Sequence, residues 1–264
     1  MPTIQAAKMN AGMPAAPPRF NVPSGACDCH VHVFEPDRFP YAPSRRYTPG
    51  QASVDDLLAL QRALGLSRAV LVQPSVYGAD HACLLDALRR LGPRAIGVGV
   101  IDETMPASRI YELDSAGVRG TRLNLEVTKQ RDPSAAARRL RALADRIPPH
   151  WHVQIYTALS VIAALQAEIA SLRMAVVIDH FGLARAEGGA NQPGFEELLA
   201  LVRGGKAYVS SRDHTRFPKN RQVTKTLRQS PGRLPGQRPI ACFGGAIGRT
   251  PAERIATRTK THRS

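Results

Sequence analysis

Two patterns alternate between residues 27 and 209. Short apolar runs stand at 27–34 (CDCHVHVF), 67–75 (SRAVLVQPS), 95–101 (AIGVGVI), 118–125 (VRGTRLNL), 151–156 (WHVQIY), 175–180 (AVVIDH) and 206–209 (KAYV). Between them, segments at 54–66, 82–92, 107–117, 135–147, 160–172 and 194–205 carry apolar residues at i, i+3, i+4 spacing, and several end in Gly. The runs predict strands, and the spaced segments predict amphipathic helices closed by glycine. Strand, helix, strand at this interval means parallel pairing, because parallel neighbours need a crossover long enough to hold a helix. Six or seven such units in series predict an α/β chain of the (β/α)8 barrel type. An open doubly wound sheet is the runner-up, and it lacks its G-x-G-x-x-G turn after the first strand.

The pattern fails at both ends. Residues 1–24 are a Pro/Ala leader with no apolar core, so the expectation is a flexible segment and not a secretory signal. After Val209 the periodicity stops. Residues 210–264 hold 13 Lys+Arg against 2 Asp+Glu, a charge of +11, while residues 1–209 hold 23 against 19, only +4. The overall +15 therefore belongs to the tail, and the expected organisation is leader 1–24, barrel 25–209 and basic tail 210–264. A genuine nucleic-acid tail would interleave aromatics for stacking, whereas this one has just Phe217 and Phe243, so nucleic acid is not the expected partner. No apolar window reaches 18 residues, so no membrane span is expected. The four Cys form no disulfide framework, which favours a reducing, cytoplasmic setting.

In a barrel the chemistry gathers where the strands run out. The first run ends with His30 and His32, an H-x-H pair whose alternation puts both rings on one side, able to converge on one ion or one substrate oxygen. The second run ends with Gln73 and Ser75, the fourth with Arg122 and Asn124, the fifth with Tyr156, the sixth with Asp179 and His180. Three His, an Arg and a Tyr at one predicted rim favour a site. A Cys/His zinc knot is disfavoured, since CDCHVH lacks paired C-x-x-C spacing.

The run DCHVHVFEPDRFPYAPSRRYTPG resembles the first strand and loop of the amidohydrolase superfamily, most of all its 2-pyrone-4,6-dicarboxylate lactonase branch. VLVQPSVYGADHACLLDAL, AGVRGTRLN, WHVQIY and VVIDHFG follow in the family's order, so the resemblance covers residues 25–209. It implies a hydrolase of aromatic degradation that opens a small carboxylated lactone. His30, His32 and His180 would stand around the scissile carbonyl and Tyr156 would assist catalysis. Arg122 would hold a substrate carboxylate, for which its planar fork is suited, with Ser75 and Asn124 adding hydrogen bonds. Many superfamily members hold zinc on the H-x-H pair, whereas the lactonase branch works without it. The cofactor is thus none, or one divalent metal on His30, His32 and His180. The fourth run offers neither Lys nor Glu as a bridging ligand, which leans against two metals. A metal-dependent amidohydrolase or decarboxylase on the same barrel, and a non-catalytic basic binding protein, are the alternatives.

The family also ends strand eight with a G-[ST]-D-W-P-H motif whose Asp is the general base. No Asp follows Asp213 in this chain. The apolar island RPIACFGGAIGRT at 238–250 stands where that strand belongs. With synonymous third bases chosen freely, codons for residues 237–250 read from the third base of the Gln237 codon give APDRVLWGSDWPH. The same shift turns 225–236 into a helical DAAPIARALARA and the start of the tail into LSGPY. The tail therefore reads as out of frame from about Val209, so strand eight and its Asp are expected to be lost and hydrolysis impaired.

Overall fold

The β-branched run RAVLV, which buries Ala69, Leu71 and Val72, supplies one strand of the first parallel pair. In this computed structural model, which describes residues 21–126, 132–210 and 242–244, β1 (Cys27–Val31) pairs parallel with β2 (Arg68–Val72). The crossover is α1 (Val54–Leu64), and its boundaries follow from its caps. Ser53 Oγ accepts from Asp56 N while Asp56 accepts back from Ser53 N, a capping box that contributes on the order of 1 kcal/mol. Gly65 ends the helix at φ 67°, a left-handed position that glycine takes without strain. α2 (Ala82–Leu91) buries Leu84, Ala87, Leu88 and Leu91 behind β2. β3 (Ala95–Gly99) follows.

The chain divides into two compact units: Met1–Gly97 with Ile240–Ser264, and Val98–Pro239. The second unit begins with α3 (Ala107–Ser115) and β4 (Val118–Asn124). α4 (Pro133–Arg146) is capped by Asp132, whose carboxylate accepts from Ser134 N and Ala135 N, with Pro133 in the first turn where no N–H is needed. β5 (His152–Tyr156), β6 (Val176–Ile178) and β7 (Ala207–Val209) then add in order, each parallel to the last. Val153, Ile155, Val176 and Ile178 are fully buried. α5 (Leu159–Ala164), α6 (Gln166–Ser171) and α7 (Phe195–Arg203) pack together, burying Ile162, Ile169 and Leu198. Consecutive parallel strands joined by helices are the pattern of a (β/α)8 barrel, here incomplete.

Two expectations change. The single helix expected at 160–172 is two, α5 and α6, broken at Leu165. An eighth strand is also present in part: β8 (Cys242–Gly244), inside the apolar island, pairs parallel with β1, with Cys27 opposite Cys242 and Asp28 opposite Phe243. Three residues of backbone pairing occupy this position, while the sequence supplies no Asp at their end. The rest of the basic tail, and the leader up to residue 20, lie outside the described residues.

One close approach in the second unit gives a test. Gly120 on β4 lies opposite His152 on β5, and a Cβ added at Gly120 would stand 2.5 Å from the His152 ring. Gly120→Ala must displace that ring, and an expected loss of about 1–3 kcal/mol follows from overpacking. Urea unfolding of the variant measures it, and an unchanged midpoint would show that the ring has room to move.

Candidate active site

In the first unit the H-x-H pair closes β1. His30 is buried, and its backbone N donates to the buried Asp28 carboxylate at 3.2 Å. His32 lies one residue beyond the last ladder residue. Its ring meets that of His30 edge-on, centroids 5.0 Å apart. The Val72 carbonyl 2.6 Å from His32 Nδ1 can only accept, so Nδ1 carries a proton. The loop that follows is fixed by Glu35, which stands at none of the predicted strand ends. Its buried carboxylate accepts from Arg38 at 2.8 Å, Arg90 at 3.2 Å and Val54 N at 3.2 Å, and its own N donates to Tyr77 Oη at 3.0 Å. Arg90 lies 55 residues from Glu35 in the sequence, so only the fold reveals this brace.

Ser75 is not at a strand end. β2 stops at Val72, and Ser75 opens a short 3-10 turn, Ser75–Tyr77. Gln73 braces that turn, donating to Gly78 O at 2.6 Å and Asp80 O at 3.1 Å. Burial pushes the Cys83 thiol up, which keeps it protonated as a core thiol. Among the described residues Cys27, Cys29 and Cys83 form no disulfide, and no helix there is long and apolar enough to cross a membrane.

The second unit brings four expected rim residues together. On β4 and β5 the register sets Gly120 opposite His152, Arg122 opposite Gln154 and Asn124 opposite Tyr156. Arg122 donates through Nε and Nη2 to Asp179 Oδ2 at 3.2 and 2.9 Å, with side-chain exposures of 7% and 0%. Gln154 Nε2 and Ser210 Oγ both donate to the other oxygen, Asp179 Oδ1, at 2.7 and 3.2 Å. The Tyr156 ring faces the Arg122 guanidinium at 5.3 Å and meets the His180 ring edge-on at 5.4 Å. Asp179 was visible at the sixth strand end, but nothing in the sequence marks it as the partner of Arg122.

His180 owes its place to an unusual backbone. The ladder ends at Ile178, and His180, Phe181 and Leu183 take φ of 53°, 55° and 58°, with Gly182 between them at 59°. Each non-glycine residue held left-handed costs roughly 1–2 kcal/mol. Ser210 offsets part of this: its hydroxyl accepts from His180 N at 3.1 Å, its carbonyl accepts from Phe181 N at 3.2 Å, and its own N donates to Ile178 O at 2.9 Å.

His152 begins the interior face of β5. Burial lowers its imidazole from the ordinary value, so the unfolded chain takes up a proton before the folded chain does. This contribution to stability is complete above about pH 6.5 and shrinks as pH falls below it. Urea midpoints at pH 7.5 and 5.5 should therefore differ less in His152→Gln than in the parent, and identical declines would show that His152 stays accessible to protons.

Comparison with known proteins places this arrangement. The amidohydrolase family profile matches residues 27–233, continuing past Val209. The chain belongs to the amidohydrolase family. The 2-pyrone-4,6-dicarboxylate hydrolase of Comamonas testosteroni is 36% identical over 188 residues, 70% of this chain and 61% of its own length. The 4-sulfomuconolactone hydrolase of Rhizobium radiobacter is 33% identical over 191 residues, 71% and 63% of the two chains. The chain thus spans about three-fifths of the length of these curated relatives. A solved structure from Pseudomonas putida, provisionally assigned as a 2-pyrone-4,6-dicarboxylic acid hydrolase, is 34% identical with a TM-score of 0.68, covering 80% of each chain.

Proposed function

We propose that the chain derives from a hydrolase that opens a lactone bearing carboxylates, of the 2-pyrone-4,6-dicarboxylate kind. The observation that supports this most is the state of Arg122. It is buried, counter-charged and faced by Tyr156, and its donors beyond the two given to Asp179 make no hydrogen bond among the described residues. A guanidinium held this way suits a planar substrate carboxylate. By motif position, His30, His32 and His180 polarise the ester carbonyl, Tyr156 assists, and Ser75 and Asn124 hydrogen-bond the substrate. The oxygen of water bonds to the ester carbon, the ring C–O bond breaks, and the proton of water passes to the departing oxygen. The general base for that water is the Asp missing from the tail. We infer that the frame is lost near Val209, that residues 25–209 are the barrel and 210–264 the out-of-frame tail, and that this chain hydrolyses poorly.

The substrate class is tested on a chain with one base restored at the Val209–Ser210 codons. That protein should turn over the dicarboxylate lactone at least about a hundredfold faster than a plain δ-lactone, because a site built to pair a polar group strongly rejects a ligand lacking it. Equal rates on the two would contradict the role given to Arg122.

A metal reading is favoured by one observation. His32 gives Nδ1–H to a backbone carbonyl, the arrangement that orients metal-binding imidazoles, so the H-x-H pair fits a divalent ion. Zinc bound there would polarise the carbonyl or acidify a water. One equivalent of zinc surviving dialysis in the parent and lost in His32→Ala would favour this metal-dependent amidohydrolase or decarboxylase.

A further inference from the structure

The guanidinium of Arg122 has five N–H donors, and Asp179 takes two of them, both along the Nε–Nη2 edge and both on Oδ2. The second oxygen accepts separately, from Gln154 on β5 and from Ser210 after β7. A carboxylate at 0% exposure, gripped from β4, from β5 and from the residue after β7, cannot swing. Its position therefore fixes the plane and direction of the guanidinium, and Tyr156 closes one face of that plane.

We propose that Asp179 is the positioning residue for substrate recognition in this chain. Held by Gln154 and Ser210, it orients Arg122 so that the remaining Nη1–Nη2 edge takes one carboxylate of a planar dicarboxylate in a defined direction. This rests on the reading of Arg122 as the carboxylate anchor. The inference has a sign that distinguishes it from simple electrostatics. If Asp179 merely neutralised Arg122, removing its charge would leave a stronger cation and tighter anion binding. If Asp179 positions Arg122, removing it loosens the fork and weakens binding despite the added positive charge.

The test is calorimetric binding of benzene-1,3-dicarboxylate and of benzoate to the full chain, to Asp179→Asn and to Gln154→Leu. Benzene-1,3-dicarboxylate is an unreactive ring with its two carboxylates in the same mutual relation as on a 4,6-substituted pyrone. The intact chain should bind the dicarboxylate in preference to benzoate. Asp179→Asn should bind the dicarboxylate about tenfold or more weakly, as expected for losing the order of charge-assisted hydrogen bonds, and the preference over benzoate should collapse. A merely structural role leaves that ratio unchanged. Should Asp179→Asn show no cooperative melt, Gln154→Leu decides, because it keeps the ion pair and removes one support. An expected weakening of about threefold with a reduced ratio supports the proposal, and an unchanged ratio overturns it. Equal or tighter dicarboxylate binding by a folded Asp179→Asn overturns it and leaves Arg122 as the anchor. No binding of the dicarboxylate by the intact chain removes the anchor itself, and the proposal falls with it.

Discussion

Arg122→Met should destabilise the chain by about 3–5 kcal/mol, because it takes the buried guanidinium away from a fully buried carboxylate. Gln154 and Ser210 still donate to Asp179 Oδ1, yet Oδ2 loses both donors that Arg122 supplies. The magnitude sets this pair apart from the surface pairs. Arg109–Glu112, at 39% and 60% exposure, lies in the range where ion pairs contribute at most about 1 kcal/mol. The double variant Arg122→Met with Asp179→Asn should recover most of the loss, since replacing both partners of a buried pair is often close to neutral. Urea unfolding of the three variants measures the coupling. A cost below about 1 kcal/mol for Arg122→Met would show that water reaches Asp179 in the folded chain.

The strands were legible because their apolar runs are short, rich in Val and Ile, and separated by capped helices. β4 and β5 fall within a residue of the runs that predict them. The errors lie where the backbone leaves the ladder for reasons that no local pattern carries. The run at 175–180 predicts a strand reaching His180, but β6 stops at Ile178 because the chain turns left-handed at His180, supported by Ser210 from 30 residues away. The segment 160–172 contains no Pro or Gly to mark its break at Leu165. In the candidate site, residue types at strand ends brought out the His, Arg and Tyr. Their partners stayed hidden because pairing over long separations is a property of register. Arg122 finds Asp179 across 57 residues and Glu35 finds Arg90 across 55. The apolar island shows the same limit from the other side: its composition fits a sequence in the wrong frame, and three of its residues nonetheless pair with β1.

Restoring one base at the Val209–Ser210 codons carries the other large expected effect. It returns a G-S-D-W-P-H ending in place of the G-G-A-I-G-R text, and with it the carboxylate that takes the proton from water. General-base catalysis of this kind contributes about a hundred- to ten-thousandfold. The chain as written should therefore hydrolyse the dicarboxylate lactone at least about a hundredfold more slowly than the restored chain. In the restored chain, replacing the Asp of that motif by Asn should return the rate to the level of the chain as written. The family profile continues to residue 233, past the proposed break, so resequencing the gene across codons 208–212 checks the break itself.

The central claim, a lactone hydrolase separated from its general base, is tested most directly by one comparison. Equal amounts of soluble chain as written and of frame-restored chain are mixed with 2-pyrone-4,6-dicarboxylate, and ring opening is followed by the loss of the pyrone absorbance. Rapid loss with the restored chain alone is the expected result. Comparable turnover by the chain as written, or none by the restored chain when folded, would contradict it.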